Sequence, residues 1–178
     1  MTEARKMENT WRWSIVLAVV IAICGCTQKS TSGFKPNSEP DGFAGIKWDT
    51  EFSEVKSDMV ESRAISEPTT PDVKIKIYYT KKGDNLKMGE AQLNKLEYGF
   101  WKGKFAEVQI TSAGLENFNQ LKKVLFEKYG TLEKPVQGVY FWNGGVTRIA
   151  LRYDEPTQAS LLAISSTTIT FKEIFDKD

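Results

Sequence analysis

The chain has 178 residues, with 24 Lys plus Arg against 23 Asp plus Glu, two Cys and no His, so one domain of ordinary size with something added at an end is expected. The near-zero charge speaks against nucleic acid, whose binders carry a basic surface able to neutralise several phosphates. The missing His removes Ser-His and Cys-His nucleophiles, imidazole bases and His-containing zinc sites, and Cys24 and Cys26 are too close together to staple a fold, so no metal and no cofactor is expected.

Met1 to Arg12 is polar, with Arg5, Lys6 and Arg12 outnumbering Glu3 and Glu8, and it precedes an apolar run from Trp13 to Ile23 broken only by Ser14. That run has about eleven residues where a membrane span takes roughly 20, which is the pattern of a signal-peptide core. The run ends in Ile23-Cys24-Gly25-Cys26, which resembles the lipobox of bacterial lipoproteins: an aliphatic residue, a small one, Gly, then Cys. The resemblance implies cleavage between Gly25 and Cys26, a diacylglyceryl group on the Cys26 thiol, and acylation of the new amino terminus, palmitate-type chains being the anchor. Two or three chains hold a protein on a membrane where one does not. An ordinary secretory signal and a start at Met7 remain open alternatives. The leader carries three basic and two acidic residues, so the mature chain is neutral.

Residues 26–41 are expected to be the lipidated Cys and a flexible tether, since Thr27 to Asp41 is rich in Ser, Thr, Lys and Pro, with Phe34 as a lone exposed apolar residue. The folded domain is then 42–178. Asp49-Thr50 reads as a helix cap, with Glu51 and Glu54 in the first turn and Phe52, Val55 and Met59 on one face. After a loop from Ser66 to Asp72, Val73 to Thr80 alternates as a strand with Val73, Ile75, Ile77 and Tyr79 inward and Lys74, Lys76, Tyr78 and Thr80 wet. Asn94 to Trp101 and Lys104 to Thr111 form two more strands about a Lys102-Gly103 turn, the second with Ala106, Val108 and Ile110 inward.

Glu116 to Tyr129 is the strongest helix, its stripe of Phe118, Leu121, Val124, Leu125 and Phe126 ending at Gly130. Strands follow at Val139 to Trp142, Thr147 to Tyr153 and Ala159 to Ser165, separated by Asn143-Gly144-Gly145 and Asp154-Glu155-Pro156-Thr157, and Thr170 to Phe175 is apolar enough to dock. The expected fold is α+β: a two-layer sandwich of two helices on an antiparallel sheet of about six strands, with αβββ order repeated twice.

Little in this pattern suggests catalysis. Asp154 and Glu155 sit in a turn, Asp176 and Asp178 at the end, and Asn143-Gly144-Gly145 lacks the Lys and following helix of a phosphate loop. The aromatics say more: Tyr78 shares a face with Lys74 and Lys76, and Trp101 falls opposite Leu96, Tyr98 and Phe100. Tyr78, Trp101 and Trp142 are therefore the candidate binding face, because Trp and Tyr combine contact area with a polar handle. Cross-strand pairing that stabilises the sheet would explain them equally.

Gly45-Ile46-Lys47-Trp48-Asp49-Thr50, Tyr98-Gly99-Phe100 and Lys128-Tyr129-Gly130 resemble a group of uncharacterised bacterial envelope lipoproteins, in which the residue after Trp is usually Gly rather than Asp49. The αβββ duplication is similar to β-lactamase-inhibitor-protein-like and outer-membrane-assembly lipoprotein domains, which bind proteins. The resemblance implies a non-enzymatic, lipid-anchored module that holds a protein partner. Thr27, rather than Asp, after the lipidated Cys implies the periplasmic face of the outer membrane. The alternatives are a small-solute or lipid-binding lipoprotein, and an envelope hydrolase using carboxylates or a Ser-Lys pair.

Overall fold

The computed structural model describes residues 33–66, 74–132 and 134–169. The expected leader, Gly25, Cys26, the tail from Thr170 to Phe175, Asp176 and Asp178 lie outside the described residues. In chain order the elements are β1 (Gly42–Phe43), β2 (Ile46–Lys47), α1 (Phe52–Val55), a 3-10 turn (Lys56–Asp58), β3 (Met59–Ser66), β4 (Lys74–Lys81), β5 (Lys87–Met88) and β6 (Ala91–Gln92). They continue with β7 (Lys95–Trp101), β8 (Lys104–Ala113), α2 (Leu115–Tyr129), β9 (Val139–Asn143), β10 (Thr147–Asp154) and β11 (Ala159–Ser166). Seven strands make one sheet in the order β3-β4-β7-β8-β11-β10-β9, and every pairing in it is antiparallel. The α+β class expected from the sequence holds at that level: mostly antiparallel sheet, with helices.

The core follows from two periodicities. On α2, Phe118, Leu121, Leu125 and Tyr129 recur at helical spacing and are buried, and they pack with Tyr98, Val108, Ile110, Ile149, Leu151, Leu162 and Ile164 from the sheet. The period-two alternation of β10 and β11 turns Ile149, Leu151, Leu162 and Ile164 to that side. Each such side chain contributes about 1.5–3 kcal/mol on burial. The helix stops at Gly130, whose φ of 108° is open to glycine and whose N–H donates to the Phe126 carbonyl at 3.0 Å. The β7–β8 hairpin turns through Lys102 and Gly103, both at positive φ as a two-residue turn of this hand requires.

The first helix differs from expectation. It is one turn, capped by Glu51 rather than Asp49, with Glu54 reaching back to the Glu51 N–H at 3.2 Å. Asp49 has a φ of 71° and donates its N–H to the Phe105 carbonyl at 2.9 Å, so Asp49-Thr50 runs beside β8 instead of opening a helix. That left-handed backbone is why a Gly suits the position, and Asp is among the few other residues that tolerate it. Phe52, Val55 and Met59 do pack against the core, but Met59 does so from the start of β3.

Strand β3 adds a seventh strand to the expected six, giving four strands before α2 and three after it rather than αβββ twice. Inward Ala106 is corrected too. Gly99 pairs with Glu107 while Phe100 pairs with Phe105, so Ala106 is the extra residue of a bulge. The bulge sends Phe105 to the core and Ala106 to a separate cluster with Trp101 and Ile169.

The polar segment before residue 42 is packed from Gly33 onward, which corrects both the tether ending at Asp41 and the exposed Phe34. Phe34 is 6% exposed, its ring edge-on to Tyr129 at 5.6 Å. Gly33 and Lys35 donate backbone N–H groups to Asn143 and Tyr129 at 3.1 and 2.7 Å. The Glu39 carboxylate accepts from the N–H groups of Val146 and Thr147 at 2.6 and 2.8 Å. Its polar composition resembles that of a solvated linker because the polar atoms here serve as caps and straps.

Candidate interaction surface

The side chains that alternate away from α2 form a second sheet face, ordered in rows by the strand register. One row runs Asn143, Arg148, Ser165, Glu107, Gly99, Tyr78 and Arg63 from β9 to β3. The next runs Phe141, Ala150, Ala163, Gln109 and Glu97, and a third runs Val139, Arg152, Leu161, Thr111 and Lys95. The two halves of this face differ in chemistry.

On the β3–β8 half the polar groups satisfy one another. Arg63 donates to Glu97 at 3.3 Å and to Gln109 at 2.7 Å, and its guanidinium lies 3.5 Å from the Tyr78 ring centroid. Lys95 and Ser62 each reach Glu97 at 2.7 Å, while Lys76 reaches Glu107 at 3.3 Å. Tyr78 donates its phenolic hydrogen to Glu107, which also accepts from Gln109 at 3.0 Å. Burial, followed by the charge and hydrogen bond of Glu107, pushes the Tyr78 hydroxyl well above the usual tyrosine range. Burial also pulls Glu97 upward, but the hydrogen bonds from Lys95 and Ser62 and the Arg63 charge outweigh it and hold the carboxyl below its ordinary value.

On the β11–β9 half the face is a patch of small and aliphatic side chains, Ala150, Leu161 and Ala163, each partly exposed and flanked by exposed Arg148 and Arg152. Arg148 donates to the Asn143 side chain at 2.9 Å. Neither arginine has a carboxylate in ion-pair range among the described residues. Short side chains here leave the backbone open to close approach, and two exposed guanidiniums, of which Arg152 also feels the Asp154 charge, present planar donor forks for carboxylates.

Tyr78, Trp101 and Trp142 are all buried, and they do not form the exposed face expected of them. Tyr78 is 2% exposed beneath Arg63, and Trp101 is 6% exposed, against Ala106 and Ile169. Trp142 lies on the α2 side, fully buried, its Nε1–H donating to the Gly130 carbonyl at 2.8 Å. The face assigned as wet on β4 holds buried Lys76 and Tyr78 because their charges and hydroxyl are paired across the strands. The sequence carries a signal for this patch: Arg148, Ala150 and Arg152 occupy the phase opposite Ile149 and Leu151.

Asp154 ends β10 and accepts from the N–H and hydroxyl of Thr157, which together with the nearby Arg152 charge lowers its pKa. Among the described residues no group of three His, Cys, Asp or Glu is placed to hold a metal, and no helix is long and apolar enough to cross a membrane. No protein-family model, curated protein or solved structure matches the chain.

Proposed function

We propose that this protein is a non-enzymatic, lipid-anchored binding module of the cell envelope, attached through Cys26 on the periplasmic face of the outer membrane. Its plan is a two-layer sandwich similar to β-lactamase-inhibitor-protein-like domains, with the face away from α2 as the partner surface. The observation that carries the reading is the partly exposed patch of Ala150, Leu161 and Ala163 between exposed Arg148 and Arg152, neither of which has a carboxylate within 4 Å among the described residues. Its complement is a protein segment with apolar side chains flanked by carboxylates, because buried apolar area supplies affinity and matched charges supply register and on-rate.

A photo-crosslinking residue at Leu161 in the anchored protein tests this, compared with one at Lys123 on exposed α2. A discrete adduct from position 161 only, lost in the Arg148→Glu, Arg152→Glu double variant, is the expected result. Equal adducts from both positions, or an adduct indifferent to the charge reversal, would overturn it. Replacing Trp101 or Trp142 tests folding instead, since both are core residues.

A further inference from the structure

Resting on the lipid anchor at Cys26, we propose that the β9 edge of the sheet is the surface that lies on the bilayer, with Val136, Phe141 and Val146 entering the headgroup region. The packed chain begins at Gly33, directly against β9: its N–H donates to the Asn143 carbonyl at 3.1 Å, and a Cβ there would sit 3.2 Å from the Phe141 oxygen and the Trp142 Cα. Only six residues, seven Cα-to-Cα steps, separate Cys26 from Gly33, a contour of at most ~25 Å. The sheet has seven strands at roughly 4.8 Å spacing, so its β3 edge lies about 29 Å from β9. With lipid on Cys26, a pose with the β3 edge on the membrane and β9 uppermost would need the connection at full extension, so the short connection favours the β9 edge.

The apolar surface agrees with that constraint. Val136, Phe141 and Val146, on β9 and the turns at its two ends, are three of the seven large hydrophobic side chains left exposed. Val60 and Ile65 on β3 are exposed as well, but they belong to the edge that the short connection holds away. The charge on this side is mildly basic: Lys35, Lys128 and Arg148 lie here with exposed Glu127 among them, and Lys35 donates to the Glu127 backbone carbonyl at 2.6 Å. Contact therefore rests on apolar burial, with these basic side chains adding a smaller electrostatic part on anionic lipid.

The test uses the full, lipid-modified chain in phosphatidylethanolamine–phosphatidylglycerol vesicles containing spin-labelled lipid. One environment-sensitive fluorophore is placed at Val146→Cys, at Phe141→Cys or, as the far edge, at Val60→Cys. Several-fold stronger quenching at positions 146 and 141 than at 60 is expected. Equal quenching at both edges, or none at 146 while the protein stays on the vesicles, overturns the orientation and leaves the anchor standing. Membrane retention that survives Cys26→Ser overturns the anchor itself, and the orientation with it.

Discussion

The edge of the Tyr78 ring lies over Gly99, and its hydroxyl donates across that glycine to Glu107 on the next strand but one. Gly99 is not at a turn and has no left-handed φ, so its missing side chain is what matters: a Cβ would stand 2.7 Å from Glu107 Cγ and 3.0 Å from Tyr78 Cε1. Gly99→Ala is expected to destabilise the domain by about 1–3 kcal/mol, the usual cost of overpacking a fixed site. Urea denaturation should show the midpoint falling with an unchanged m-value. A variant as stable as the parent would mean that the Tyr78–Glu107 bridge yields without cost.

Tyr78 and Tyr98 carry the alkaline response. Burial comes first for both, followed by the nearby Glu107 and Asp84 carboxylates, and both hydroxyls are raised far above their ordinary value. A group raised in the folded state contributes stability that is complete below its unfolded pKa, about 10 for tyrosine, and declines as pH rises above it. Absorbance titration at 295 nm should therefore find Tyr78 and Tyr98 ionising late and together with unfolding. Tyr78→Phe and Tyr98→Phe should each remove one of them.

Glu97 governs the opposite end of the scale. Its carboxyl is lowered despite burial, through Lys95, Ser62 and Arg63, so its stabilising contribution is present above the ordinary Glu range and is lost as pH falls through the depressed folded value. Glu97→Gln should lower the thermal midpoint at pH 7 and narrow its difference from the parent as the pH is taken towards 3. Differential scanning calorimetry across that range checks both the sign and the convergence.

How far the sequence reaches depends on what each residue does to satisfy its polar atoms. The α2 stripe and the alternation of β10 and β11 were legible because one face is apolar and the other is not. Strand β3 was not, because at a sheet edge Val60, Glu61, Ala64 and Ile65 are all exposed and no apolar period remains to be seen. Lys76 and Tyr78 read as wet on residue type, yet they are buried with Glu107 as a shared partner. Such cross-strand partners come from register, which local composition does not carry. Trp142 was placed on a binding face for its chemistry, whereas its N–H is spent on the Gly130 carbonyl.

The strap from Gly33 to Asp41 offers the most direct test of where the domain begins. Phe34 is buried against Tyr129 within the main core, so Phe34→Ala should cost about 3–5 kcal/mol, the range for emptying a large aromatic site. Glu39→Ala leaves the Val146 and Thr147 N–H groups without their acceptor. Thr147 is buried, so a further loss of about 1–3 kcal/mol is expected there. The two changes act on one strap, at Tyr129 and at the β9–β10 turn, and their combined effect should fall short of the sum because releasing either end frees the other. Full additivity in a double-mutant cycle would show two independent contacts, and no loss from either change would return residues 33–41 to the solvated tether that their composition suggests.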